Sequence, residues 1–285
     1  MRTTPANQFF SFSRWSLLVG KHWVEHRRGY ILSLLAIAGL LAVFFTFIIL
    51  MQGYATLVIA QFFAFFGGLY FAGCLFSSLL FADLSTKKEA LPWLSLPASQ
   101  FEKLLCALLF SVVFFFIAYT VVFYCVDIPM VHWANNALRH HPQNWPNTNQ
   151  PIPFLSVYNV FTAVGAPIPE ANHHLFLYSY FTAQAVALLG SVYYTRYAFI
   201  KTVIVGVLFL IAFVLFENTV ITPMLPRNWN NDVFRWDQMK YIMEPPQNEV
   251  RLPAGVEQML ITLIQFGLPP FFWFITYHRL KEKQV

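Results

Sequence analysis

Residues 30–51 read YILSLLAIAGLLAVFFTFIILM and carry no charge. At about 1.5 Å of rise per residue, a helix of this length crosses a hydrocarbon layer roughly 30 Å thick. Five further apolar stretches follow, over residues 57–82, 104–126, 175–193, 202–216 and 259–277. The fourth is shorter and more polar, and the fifth runs into Glu217, with Asn218-Thr219-Val220-Ile221 behind it. A water-soluble helical protein accommodates one or two such runs, not six. Backbone polar groups facing lipid must be bonded within their own segment, so each run is expected to be a helix. A β-barrel requires short alternating strands, and these runs do not alternate.

Composition agrees. Of 285 residues, 58% are hydrophobic and 11% are Asp, Glu, Lys or Arg, against about a quarter charged in soluble domains. The expected fold class is therefore all-α: a polytopic integral membrane protein of one transmembrane domain with six spans. Cys74, Cys106 and Cys125 sit in or beside apolar runs without pair spacing, so they read as small buried hydrophobes. The first 30 residues contain bases but no short apolar core with a small-residue cleavage site, so no cleaved signal peptide is expected.

The bases set the orientation. With the N-terminus inside, the inner segments hold Arg2, Arg14, Lys21, Arg27, Arg28, Lys87, Lys88, Lys103, Arg196, Lys201, Arg279, Lys281 and Lys283. The outer segments hold Arg139, Arg227, Arg235, Lys240 and Arg251. The positive-inside rule then predicts both termini in the cytoplasm. Because the bases follow the inner ends of the spans, they orient the chain in a membrane and give no reason to expect nucleic acid.

The segments between spans are uneven. Residues 9–28, FFSFSRWSLLVGKHWVEHRR, mix aromatics with bases, which predicts an amphipathic helix at the inner interface within the leading segment 1–29. The inner loop ADLSTKKEALPWLSLPASQFEKLL predicts a short helix over residues 85–91, a break between Pro92 and Pro97, and a new helix capped by Ser99 with Glu102 as its reciprocal partner. The outer loops over residues 127–173 and 217–257 are long, longer than bare connectors need to be. The first carries His132, His140, His141 and His173, with His174 just beyond, but without the spacing of a zinc site. The second contains FRWDQMKYIMEPP, a candidate short helix ended by Pro245-Pro246. Glu217, an acid beside an apolar span, is a candidate functional residue. Gly67, Gly68, Ala72, Gly73 and Ser77 mark the second span for close packing.

Three stretches together carry a family resemblance: HRRG at residues 26–29, LSLPASQFEKLL at residues 94–105 and LGSVYYTRYAFIKT at residues 189–202. With the six-span plan, they resemble the membrane subunits of bacterial ABC exporters of the ABC-2 class, in particular the divergent permease-like proteins of Bacteroidetes. The resemblance implies a multi-pass protein of the bacterial inner membrane, paired with itself or with a related permease. It also implies a coupling helix in the loop between spans two and three that docks on a separate ATPase. By position, Lys87, Lys88, Glu89, Glu102 and Lys103 become the coupling residues, and ATP is bound by the partner alone. Both outer loops are longer than such permeases carry.

Motifs limit the alternatives. The chain has no GxxxxGK[ST] loop, so it is not itself the hydrolysing subunit. It also lacks HExxH, GxSxG and CxxC, so no catalytic or cofactor-binding residue is assigned. The expectation is a permease driven by a Walker-A ATPase and moving an amphiphilic cargo. One alternative is a non-transporting scaffold that holds partners by its outer loops. Another is a membrane-embedded enzyme built on Glu170, His173 and His174.

Overall fold

A computed structural model describes residues 10–52, 56–81, 98–140, 155–162, 170–194, 196–216, 219–220 and 254–282. In chain order its helices are α1 (Phe12–Gln52), α2 (Leu57–Leu79), α3 (Gln100–Leu108), a π-helical segment (Leu109–Phe114), α4 (Phe115–His140), α5 (Glu170–Tyr193), α6 (Ala198–Phe216) and α7 (Ala254–Glu282). The α3, π and α4 segments follow one another without a gap and form one rod. Among the described residues, five helices have the length and apolar composition to cross a membrane. The sixth, α7, has 29 residues and contains Pro269 and Pro270. Two adjacent prolines remove two backbone donors, which neighbouring helices in a bundle can tolerate. The chain is thus an all-α, largely apolar bundle, as expected of a polytopic membrane protein.

Ring contacts give the direction of each helix. Tyr30 lies 6.1 Å from Phe114 and Phe45 lies 6.3 Å from Phe123, so α1 and α4 run the same way. Phe65 meets Phe123 at 5.1 Å and Phe76 meets Phe115 at 5.3 Å, so α2 runs opposite to α4. Phe66 meets Phe176 at 5.5 Å and Tyr70 meets Tyr180 at 5.7 Å, so α5 runs with α2. Phe10, just before α1, and Tyr277, near the end of α7, come to one end of the bundle, where they touch Phe101 at 6.1 and 6.4 Å. Arg14, Lys103 and Arg279 lie at this basic end: Arg14 pairs with Glu102, Lys103 follows Glu102, and Arg279 precedes Leu280, which packs with Leu104.

Two apolar clusters hold the helices together. The larger joins α1, α2, α4, α5 and the 155–162 strap through Phe45, Phe65, Tyr119, Phe123, Tyr158 and Tyr180. The smaller lies at the basic end, around Phe81, Leu104, Leu188, Val192 and Leu280. The outer surface is apolar: Leu32, Leu40, Phe63, Phe71, Phe209 and Phe274 are all exposed. Helix α6 has no buried residue at all. A helix apolar on every face and packed along only one side requires an apolar solvent.

Two expectations change here. The basic segment does not form a separate interfacial helix ending at HRRG. It continues into the first span as one 41-residue helix, because Gly29 is its only weak helix former near the junction and its aromatic side has protein partners. His22 packs on Phe110 at 4.5 Å and Trp23 on Phe114 at 5.3 Å. The expected outer loop 127–173 is also helical at both margins, since α4 runs on to His140 through Pro129 and α5 starts at Glu170. The small residues of α2 do allow close approach, but to tyrosines. A Cβ at Gly73 would lie 2.7 Å from the Tyr180 hydroxyl, whereas one at Gly67 would meet nothing.

Candidate functional site

The best-organised polar site lies at the basic end, where the chain emerges from residues 82–97 into α3. Ser99 is extended, and its hydroxyl accepts from the Glu102 backbone N–H at 3.1 Å, while the Glu102 carboxylate accepts from the Ser99 N–H at 2.8 Å. This is the capping box expected from the sequence. Glu102 has a second task. Its Oε1 accepts from the Ser11 N–H at 2.7 Å and from the Arg14 guanidinium at 3.0 Å. One carboxylate therefore ties the start of α1 to the start of α3, and Phe10 packing edge-on against Phe101 closes the contact.

The chemistry of this clamp is electrostatic. Glu102 is fully buried, two residues ahead of the apolar run that begins at Leu104. Burial by itself pushes its carboxyl up. The Ser99 and Ser11 N–H groups and the Arg14 guanidinium outweigh that effect and hold it below the usual carboxylate range. Lys103 is also buried. The clamp joins the start of α1 to the start of α3. Lys87, Lys88 and Glu89 lie outside the described residues, as do the expected helix over residues 85–91 and Glu217. The helix expected near residues 234–246 lies outside them too.

A second polar site at the opposite end holds residues 155–162 against the bundle. Asp127 on α4 is fully buried, and the Gln61 side-chain amide donates to its two oxygens at 2.9 and 3.0 Å. The same amide nitrogen lies 3.3 Å from the Ser156 carbonyl. Asn135 bonds both backbone groups of Leu155, each at 2.9 Å, and the Tyr124 hydroxyl accepts from the Val160 N–H. Sequence reading placed Asp127 at the start of a loop. The signal it missed is a lone Gln, Gln61, near the start of an otherwise apolar span, since a buried amide needs a polar partner.

His132 and His174 are exposed on different helices, and His140 ends α4. No group of three metal-ligating side chains is present among the described residues. No family model, curated protein or solved structure matches the chain.

Proposed function

We propose that this chain is the membrane subunit of a transporter driven by a separate ATPase, built in the manner of ABC-2 class permeases and seated in a bacterial inner membrane with both termini in the cytoplasm. The observation that supports this reading is the Glu102 clamp. A coupling element must transmit a push to more than one helix. The segment before Ser99 leads directly into a junction where Glu102 holds α1 and α3 together, and α7 touches the same place through Tyr277 and Phe101. Lys87, Lys88 and Glu89 are the groups proposed to meet the ATPase. Glu102 and Lys103, being buried, are assigned to transmission instead. Two copies, or this chain with a related permease, would complete the membrane part, and the cargo is proposed to be an amphiphile.

Purification in nanodiscs from the native host, with mass spectrometry and an ATPase assay, tests the reading. A stoichiometric Walker-A protein, lost on Lys87→Glu with Lys88→Glu while the chain stays in the membrane, is the expected result. Recovery without any ATPase overturns it. The anchored strap at residues 155–162 favours one second reading, a scaffold that holds partners on the opposite face. On that reading the double charge reversal changes nothing, and cutting the outer segments releases the partner.

A further inference from the structure

Inside the bundle, α2, the π segment and α5 bring uncharged polar side chains to one level. Tyr180 on α5 packs against Gly73 on α2, and a Cβ at Gly73 would also meet Phe115 at 3.2 Å. One helical turn nearer the basic end are Gln184 on α5, Ser77 on α2 and, across the antiparallel neighbour, Ser111 in the π segment. Contact confirms the level, because the Gln184 amide nitrogen donates to the Ser111 carbonyl. Gln184, Ser77, Ser111 and Tyr180 are all buried.

Four buried polar atoms of this layer have no partner among the described residues. Helical hydroxyls normally bond back to a carbonyl one turn earlier. Thr46, Ser78, Thr182, Thr202 and Thr276 do so. Ser77 Oγ and Ser111 Oγ do not and, like Thr120 Oγ1 farther along α4, have no partner among the described residues. Tyr119 and Tyr70 donate their hydroxyls to the Ala64 and Phe176 carbonyls, whereas the Tyr180 hydroxyl has no partner among the described residues. Gln184 Oε1 also has no partner among the described residues. Its orientation is fixed chemically, since only the amide nitrogen can face a carbonyl. Native proteins rarely leave even one buried polar atom unbonded. Here four of the eleven such atoms among the described residues fall in one layer, beside a π segment, a distortion frequent at functional sites.

We propose that Ser77, Ser111, Tyr180 and Gln184 form a binding site for water inside the bundle. The donor set selects the ligand. Three hydroxyls and one carbonyl oxygen carry no charge, so a cation or an anion would be buried without a counter-charge. The ligand must both donate and accept, because Gln184 Oε1 only accepts while the hydroxyls do both. It must also be small, because Tyr180 and Phe115 already crowd Gly73. Water meets all three conditions, and buried waters typically make about three such bonds. This proposal stands independently of the transporter reading.

X-ray hydroxyl-radical labelling of the full chain in nanodiscs, read by mass spectrometry, tests it, because radicals born from bound water modify the rings beside it. Tyr119 is the internal control, as it is equally buried with its hydroxyl bonded. The expected result is Tyr180 labelling at least about fivefold faster than Tyr119, falling to the Tyr119 rate in Gln184→Leu with Ser111→Ala. Equal rates in the unmodified chain overturn the site. Fast Tyr180 labelling that survives in the double variant also overturns it, since it would mark bulk solvent entry. Thermal unfolding of Ser77→Ala gives a second reading that does not depend on the double variant folding. A hydroxyl bonded to water makes the Tm fall on removal, while a dry unbonded hydroxyl leaves it unchanged or raises it.

Discussion

Replacing Gly68 with alanine puts the packing of α2 against α4 under direct strain. A Cβ there would lie 3.1 Å from Tyr119 Cζ, 3.4 Å from its Cε2 and closer still to its hydroxyl. Tyr119 is fully buried and its hydroxyl donates to the Ala64 carbonyl at 2.9 Å, so the ring has nowhere to swing and a bond to lose. Overpacking a core costs about 1–3 kcal/mol, and orphaning a buried hydroxyl costs about 1–3 kcal/mol more. Against these stands a gain of about 1 kcal/mol from alanine over glycine in a helix, which leaves a net loss of roughly 3 kcal/mol. Gly67→Ala is the control, one residue away with open space around it; it gains the propensity term alone. In a Tyr119→Phe background the displaced hydroxyl is gone, so Gly68→Ala is expected to cost less than about 1 kcal/mol, a coupling of roughly 2 kcal/mol. SDS-titrated unfolding in mixed micelles measures all four corners of the cycle. Equal stabilities of Gly68→Ala and Gly67→Ala, or strict additivity in the cycle, would refute the packing argument.

Glu102→Ala removes acceptors from Ser11, Ser99 and Arg14; at about 1.5–3 kcal/mol per bond to a charged group, a spin-label pair at Ser13 and Gln100 is expected to move apart. Acid acts through the same carboxyl. Because its folded pKa is depressed, its contribution is complete above the ordinary value of 4.5 and is lost as pH falls through the lower folded value; the interspin distance should widen only in that acidic range. Asn135→Ala deletes both bonds to Leu155, a loss of roughly 2 kcal/mol, and proteolysis within residues 155–162 should accelerate. For the orientation, Asn147→Cys in a chain with Cys74, Cys106 and Cys125 replaced should react with an impermeant maleimide in intact cells. Lys87→Cys should react only after permeabilisation, and the reverse pattern refutes the N-in assignment.

Much of the helical plan was legible because lipid leaves few options. A long uncharged run must satisfy its own backbone, so the run over residues 30–51 and its successors became helices. Ser99 and Glu102 were legible for a local reason, since a capping box is written within four residues. What escaped the sequence depends on partners far along the chain. Arg27 and Arg28 mark where polarity changes, but charge alone does not stop a helix, and α1 continues past them. Asp127 looked like an exit from the membrane. Gln61, distant in sequence, bonds the carboxylate and lets α4 continue. The second role of Glu102 was hidden likewise, because Ser11 and Arg14 lie about 90 residues upstream.

Helix α1 is 41 residues long, a rod of about 60 Å set in a hydrocarbon layer of roughly 30 Å. Such a rod is a lever. A rocking of about ten degrees around Tyr30 swings Phe12 by about 5 Å, given roughly 27 Å of helix between them. Glu102 bonds the Ser11 and Ser99 N–H groups, so a displacement of that end of α1 bears on the start of α3. Run in reverse, a small displacement applied at Ser99 becomes a change of tilt among the lipids.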